Sequence, residues 1–185
     1  MTPVWSYPWE NDLCPDDHAR LSILLQMAFP WTSGLFTEDR SWGATRPERR
    51  VIGSIGGEMV AHAAVLRRFV RVGDADQLVG EVGLVAVHPD RRRRGLGGQL
   101  VRRVNRALAD LGVPFGLLTC APRYAPLATG AGWRPLTGVA LRQPTTASPY
   151  RAVAATDAAV LVLPVRAGID GWPPGPVLDR NGFET

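Results

Sequence analysis

The chain has 185 residues and not one lysine, so its 21 basic side chains are all arginines, set against 17 acidic ones for a net charge of +4. An excess this small admits a nucleotide, a phosphate or a nucleic acid as partner without selecting among them. Only two cysteines occur, Cys14 and Cys120. Their wide separation supports neither a disulfide framework nor a cysteine-based zinc site, and no metal is expected. No stretch approaches the roughly 20 apolar residues of a membrane-spanning helix. Met1 to Glu10 lacks a basic start followed by a long apolar run, so no secretory signal is expected and the reading is a cytoplasmic protein. Internal repeats are absent as well.

What is present is the composition of a folded protein, 45% apolar and 21% charged, at a length that suits one domain over residues 1–185. Pro15-Asp16-Asp17 opens a segment whose apolar residues Leu21, Leu24, Leu25 and Ala28 recur at helical spacing, which predicts a helix ending before Pro30. Residues 31–47 have no clean period and read as loop or short irregular helices. Two Val/Ile-rich runs, 49–55 and 59–72, flank Gly56-Gly57 and predict a hairpin. Leu78 to Val87 follows as an apolar strand, then a charged glycine-containing loop, then a helix with Leu100, Val101, Val104, Leu108 and Leu111 on one face, closed by Gly112. Phe115 to Cys120 is a strand, 122–132 a loop with a short helix, and Trp133 starts a further strand. Gln143 to Asp157, rich in Pro, Thr, Ser and Ala, reads as a surface loop. Ala159 to Val165 is one more strand, and the aromatic tail is expected to pack back on the domain. The element order gives an α/β fold.

The chemistry concentrates where the apolar strand Val82 to Val87 runs through His88-Pro89-Asp90 into Arg91-Arg92-Arg93-Arg94-Gly95-Leu96-Gly97-Gly98. The first amides of a helix lack internal partners and its dipole is positive there, so such a junction binds anions. Gly95, Gly97 and Gly98 let the backbone approach a phosphate oxygen with no Cβ between. A pyrophosphate suits this arrangement, whereas the glycine spacing is not the G-x-G-x-x-G of a dinucleotide fold. The arginine run has neither the interleaved aromatics nor the recognition helix that nucleic acid would call for.

Arg92-x-x-Gly95-x-Gly97, with its strand before and amphipathic helix after, resembles the acyl-CoA pyrophosphate motif of the GNAT superfamily, Arg or Gln-x-x-Gly-x-Gly or Ala. The resemblance implies a GNAT fold, a mixed and mostly antiparallel central sheet flanked by helices. It implies acetyl-CoA as co-substrate, held by Leu84, Val85, Ala86 and Val87 of the strand and by Arg92, Arg93, Arg94, Gly95, Leu96, Gly97 and Gly98.

Within that superfamily the chain resembles the nodulation protein A family, N-acyltransferases that place a fatty acyl group on the free amine of a chitooligosaccharide. The matching residues are Trp9-Glu10-Asn11, Arg40-Ser41-Trp42 with Arg46-Pro47-Glu48, Ala61-His62 followed by Leu66-Arg67-Arg68-Phe69, Glu81-x-Gly83-Leu84, Leu111-Gly112-Val113-Pro114-Phe115 and Asp179-Arg180-Asn181-Gly182. It is also similar to the aminoglycoside 2'-N-acetyltransferases at Ala61-His62-Ala63-Ala64-Val65, Val85-Ala86-Val87, Gly132-Trp133 and Val162-Leu163-Pro164. Both relatives imply an amino group on a sugar as acceptor. They differ in donor: the nodulation family's loop is degraded at the glycines, consistent with an acyl carrier protein, whereas here the motif is intact and favours acetyl-CoA.

Transfer to an amine needs a neutral nucleophile, a polarised thioester and a proton for the leaving thiolate. Glu81 is the preferred base, with an ion pair to one of the many arginines as its alternative. His62 is a second candidate, with a satisfied core histidine as its alternative. His88 reads as structural. Ala128 stands where many GNAT enzymes carry a tyrosine, and Tyr124 is the substitute candidate. Direct attack requires no cysteine nucleophile, which leaves Cys120 without an assigned step. For the acceptor the expected residues are Trp31, Glu38, Asp39, Trp42 and Asp179, with Glu81, Asp170 and Glu184 as further acid for a cationic sugar and the tail 166–185 packing near that site.

The leading expectation is acetylation of an aminoglycoside antibiotic, kasugamycin-like substrates included, giving resistance. A nodulation protein A-like transfer of a longer acyl chain to a chitooligosaccharide amine is the alternative, and a non-catalytic acyl-CoA-binding module is a third. Neither nucleic acid nor a membrane is expected as partner; a homodimer is compatible with the sequence.

Overall fold

A computed structural model describes residues 2–145, 148–155 and 158–183. Its strands are β1 Val4–Ser6, β2 Arg49–Ile55, β3 Glu58–Val72, β4 Ala75–Val87, β5 Phe115–Cys120, β6 Arg134–Pro135, β7 Ala140–Thr145, β8 Ser148–Ala155, β9 Ala159–Pro164 and β10 Val177–Asp179. The helices are α1 Pro15–Ala28, α2 Leu96–Leu111 and α3 Ala125–Thr129, with short 3₁₀ turns between them. The chain divides into two compact units, Met1–Leu66 with Val82–Ala107 and Arg67–Glu81 with Leu108–Glu184. The long strands β3 and β4 and helix α2 run through both.

In the first unit β1 pairs antiparallel with β2, and β2 with β3. The β2–β3 turn uses the expected glycines, Gly56 at φ +59° and Gly57 at φ +84°, the left-handed pair of a tight hairpin. Helix α1 starts where its sequence signals lie: Pro15 occupies the first turn and the Asp17 carboxylate accepts from the Cys14 N–H at 3.1 Å. It stops at Ala28, two residues before Pro30. Its buried residues Leu25 and Ala28 pack with Phe36 and Ala86, and Phe29 and Leu84 lean on the same cluster. The irregular stretch after it is a 3₁₀ turn, Pro30–Leu35.

The second unit orders its strands β6-β9-β5-β4-β3-β10-β7-β8. β5 and β6 both run antiparallel to β9, and β10 is antiparallel to β3 but parallel to β7. This is the mixed, mostly antiparallel sheet expected. Its core joins Val70, Val72, Val79, Phe115, Leu117, Leu141, Val160, Val162 and Leu178. The tail returns to this unit, with Trp172 edge-on to Phe115 at 5.2 Å and β10 inserted between β3 and β7.

Two boundaries differ from the sequence reading. β4 begins at Ala75 and not at Leu78, because Gly73 at φ +57° closes the turn with Asp74 alone. The loop expected over Gln143 to Asp157 is instead largely the hairpin of β7 and β8, with residues 146, 147, 156 and 157 outside the described ones. Backbone pairing does not require apolar side chains. Pro144, which has no N–H, sits on β7 where the register shifts between Gln143 and Thr145, and Pro149 lies on β8, an edge strand, the position that tolerates proline. Among the described residues no helix is long and apolar enough to cross a membrane.

Candidate active site

β4 leads straight into the phosphate-binding candidate. After Val87 the chain turns through Pro89–Arg91, a 3₁₀ turn whose Asp90 N–H donates to His88 Nδ1 at 3.3 Å. Arg93 takes φ +61° and Gly95 φ +77° before α2 begins at Leu96. Gln99 N–H donates to Gly95 C=O at 3.2 Å, which leaves the amides of residues 96–98 at the open end of the helix. A Cβ built on Gly95 meets nothing within 4 Å. Open space, turned amides and the exposed Arg93 and Arg94 fit a pyrophosphate.

Arg92, expected to meet the cofactor, is exposed and also makes two contacts within the protein. Its Nε donates to the Val87 carbonyl at 3.1 Å and its guanidinium reaches the Ala28 carbonyl at 3.5 Å. It therefore ties the loop to the C-terminal end of α1.

His62 is fully buried and both ring nitrogens are engaged. Arg50 Nη1 lies 3.1 Å from Nε2 and the Leu84 carbonyl 3.0 Å from Nδ1. A guanidinium only donates, so Nε2 accepts and Nδ1 carries the proton given to Leu84. Burial, with Arg50 beside it, pushes the imidazole down to about 3. A neutral ring with no free lone pair cannot take a proton from a substrate, so the base role proposed for His62 is replaced by the core-histidine reading. Leu84, its partner, has φ +48°, a left-handed conformation that costs a non-glycine residue about 1–2 kcal/mol and that no other residue of β4 adopts.

Arg50 was not anticipated as important, yet it is the centre of this network. All five of its N–H groups are used: Nε on Glu10 Oε2 at 2.6 Å, Nη2 on Glu10 Oε1 at 3.0 Å and on Ser41 Oγ at 3.1 Å, Nη1 on the Ser41 carbonyl at 2.8 Å and on His62. Glu10 also accepts from Arg46 at 3.0 Å. Burial raises the Glu10 carboxyl, but the hydrogen bonds and charge of Arg50 outweigh it and hold the group below the usual carboxylate range. Glu10, Ser41, Arg46 and His62 all lie within the segments that resemble the nodulation protein A family, which was the one signal in the sequence for this cluster.

Glu81 lies in the second unit and is 1% exposed. Arg68 Nε stands 2.8 Å from one carboxylate oxygen and Arg180 Nε 3.3 Å from the other. Arg180 also donates to Thr119 Oγ1 at 2.6 Å and to the Gln143 side chain, and Arg68 donates to the Phe183 carbonyl at 2.8 Å. Taking up a proton would break two buried ion pairs, so the geometry is the ion-pair alternative and not that of a general base.

Tyr124 is 53% exposed, with the Arg123 guanidinium 4.8 Å above its ring. It precedes α3, in which Pro126 is tolerated because it lies in the first turn. Ala128 is buried, its carbonyl accepting from Trp133 N–H at 3.2 Å. Burial pushes the Cys120 thiol up, away from a nucleophilic thiolate.

Of the residues expected at the acceptor, Trp31 is 73% exposed and edge-on to Phe29 at 6.3 Å, beside the cluster that includes Leu84 and Ala86. Trp42 packs edge-on to His18 at 5.6 Å under Arg46. Glu38 and Asp39 form an exposed turn in which Asp39 accepts from the Thr37 hydroxyl at 2.8 Å. Asp179 lies on β10, 3.5 Å from Arg142 Nε. Glu184 lies outside the described residues. An open depression of about 610 Å³ between Trp9-Glu10-Asn11 and Arg46-Pro47-Glu48 contains none of these residues. Among the described residues no cluster of metal-ligating side chains occurs.

Comparison with solved structures supports the architecture. A GNAT family N-acetyltransferase (YhbS) from Escherichia coli in complex with CoA matches with a TM-score of 0.65 at 16% identity, over 97% of this chain and 89% of that one. The ribosomal-protein-S18-alanine N-acetyltransferase of Escherichia coli matches with a TM-score of 0.56 at 22% identity, over 92% and 100%. These likenesses establish the GNAT fold. In sequence, nodulation protein A of Bradyrhizobium sp. (strain NC92) is 39% identical over 97% of this chain and 90% of its own length. Nodulation protein A of Rhizobium tropici is 35% identical over 97% and 96%. The model of the nodulation protein A (NodA) family matches residues 2–185, and the chain belongs to that family.

Proposed function

We propose that this protein is an N-acyltransferase that carries an acyl group from a coenzyme A-type thioester to the free amine of an amino sugar, with a chitooligosaccharide as acceptor and an acyl chain longer than acetyl. The observation that carries this reading is the end-to-end family match, which favours the chitooligosaccharide alternative over the aminoglycoside one. The open glycine loop supports coenzyme A as the carrier of the donor. A thioester supplies an acyl group already activated toward an amine. The amides of residues 96–98 and the guanidinium groups of Arg93 and Arg94 hold the pyrophosphate, and the strand from Leu84 to Val87 receives the pantetheine arm.

With Glu81 and His62 both committed elsewhere, the amine reaches the site neutral and its proton leaves through water on backbone carbonyls. Tyr124 is the group proposed to protonate the departing thiolate; Tyr124→Phe then slows kcat by about 10²-fold with little change in KM. Trp31, Glu38, Asp39, Trp42 and Asp179 are the residues proposed for the acceptor, and the tail is proposed to border it.

The test is thiol release with acetyl-CoA, longer acyl-CoA and long-chain acyl groups on a carrier protein, each against glucosamine oligomers and a panel of aminoglycosides. Release with long chains and glucosamine oligomers is expected. Turnover of aminoglycosides with acetyl-CoA alone overturns the reading, and coenzyme A binding without turnover of any amine returns the binding module.

A further inference from the structure

One buried chain of hydrogen bonds runs from the N-terminal segment across three strands: Glu10 to Arg50 on β2, Arg50 to His62 on β3, His62 to the Leu84 carbonyl on β4. Glu10, Arg50 and His62 are all buried, and none is placed at the reacting groups. Apolar residues of similar volume would fill this space without stripping water from a carboxylate and a guanidinium. What the polar chain supplies is direction. Every donor of Arg50 is used, the ring of His62 is locked in one tautomer and orientation, and its Nδ1–H ends on the only residue of β4 with a left-handed backbone. That residue stands three positions before Val87, whose carbonyl in turn holds Arg92 of the phosphate loop.

We propose that Arg50 and His62, anchored by Glu10, are positioning residues that fix the left-handed conformation of Leu84 and so aim residues 85–87 and the loop behind them at the acyl donor. This rests on the donor reading above. The bond to Leu84 is the operative contact, because it acts on the residue that would otherwise relax to an extended strand.

The test compares the full-length protein with His62→Leu, which removes both ring hydrogen bonds, and His62→Asn, whose amide N–H lies near the position of Nδ1–H and keeps the bond to Leu84. Each is checked for folding by circular dichroism, for coenzyme A affinity by calorimetry, and by NMR after labelling leucine carbonyls and valine nitrogens, which reports only Leu–Val peptides such as Leu84–Val85. The expected result is a shifted Leu84–Val85 signal and coenzyme A bound about tenfold more weakly in His62→Leu, with both restored in His62→Asn. A folded His62→Leu with the Leu84–Val85 signal unmoved and affinity unchanged overturns the proposal. If His62→Leu does not fold, His62→Asn decides alone: loss of the signal position overturns it and retention supports it. Should the unmodified protein bind no coenzyme A, the donor reading falls, while the Leu84–Val85 signal still tests whether His62 holds that backbone.

Discussion

Arg50 donates to His62 Nε2 across 3.1 Å, and that contact decides which ring nitrogen carries the proton in the folded state. Burial and the adjacent guanidinium hold the ring at about 3, whereas in the unfolded chain it titrates near its ordinary 6.5. Between these values the unfolded state binds a proton that the folded state does not. Stability therefore falls as pH drops from about 6.5 toward 3, by about 1.4 kcal/mol per pH unit for this one group, and is insensitive to it above 6.5. His18, lowered by burial, adds in the same direction, and so does Glu10, lowered on balance by Arg50. Denaturant titrations at stepped pH measure this slope, and His62→Asn is expected to flatten it by about one proton.

Glu81→Gln removes the carboxylate that faces Arg68 and Arg180 and leaves two buried guanidinium groups without their counter-charge. A loss of about 3–5 kcal/mol in unfolding free energy is expected, with the pH profile of turnover per folded molecule unchanged. A slowing of about 10²-fold at an unaltered melting temperature would restore Glu81 to the chemistry.

At the loop, Gly97→Asp puts a side chain and a negative charge at the open end of α2, where the donor pyrophosphate is proposed to lie. Coenzyme A affinity measured by calorimetry is expected to fall strongly while the melting temperature changes little. Gly95→Ala is the finer probe. Its Cβ meets no protein atom, so its cost is the left-handed backbone, about 1 kcal/mol, and any further loss of affinity reports the ligand.

Gly80 supplies a prediction about packing alone. A Cβ there would collide with Leu108 Cδ2 and stand 3.1 Å from Val113 Cγ2, so Gly80→Ala forces the core apart at an expected cost of about 1–3 kcal/mol. Leu108→Ala in the same chain opens the space again. Chemical denaturation of the two single variants and the pair should show the double variant less destabilised than the sum of its parts.

Much of this protein was already determined by the order of its residues. Local signals placed α1 between Pro15 and Pro30, the hairpin at Gly56-Gly57, α2 up to Gly112 and the glycine loop ahead of it, because each depends on neighbours within one turn or one strand. The same held for the family, whose matching segments run the length of the chain. The roles of individual charged residues were decided only in three dimensions. Glu81 and His62 read as a base on sequence alone, since a carboxylate or an imidazole beside a cofactor strand has that chemistry available. The partners that remove it, Arg180 far along the chain and Arg50 on a neighbouring strand, are brought there by strand pairing. The β7–β8 hairpin was missed for a related reason, as its backbone ladder is indifferent to the polar composition that suggested a loop. A proton's location depends on the groups within a hydrogen bond's length, and those neighbours are supplied by the fold.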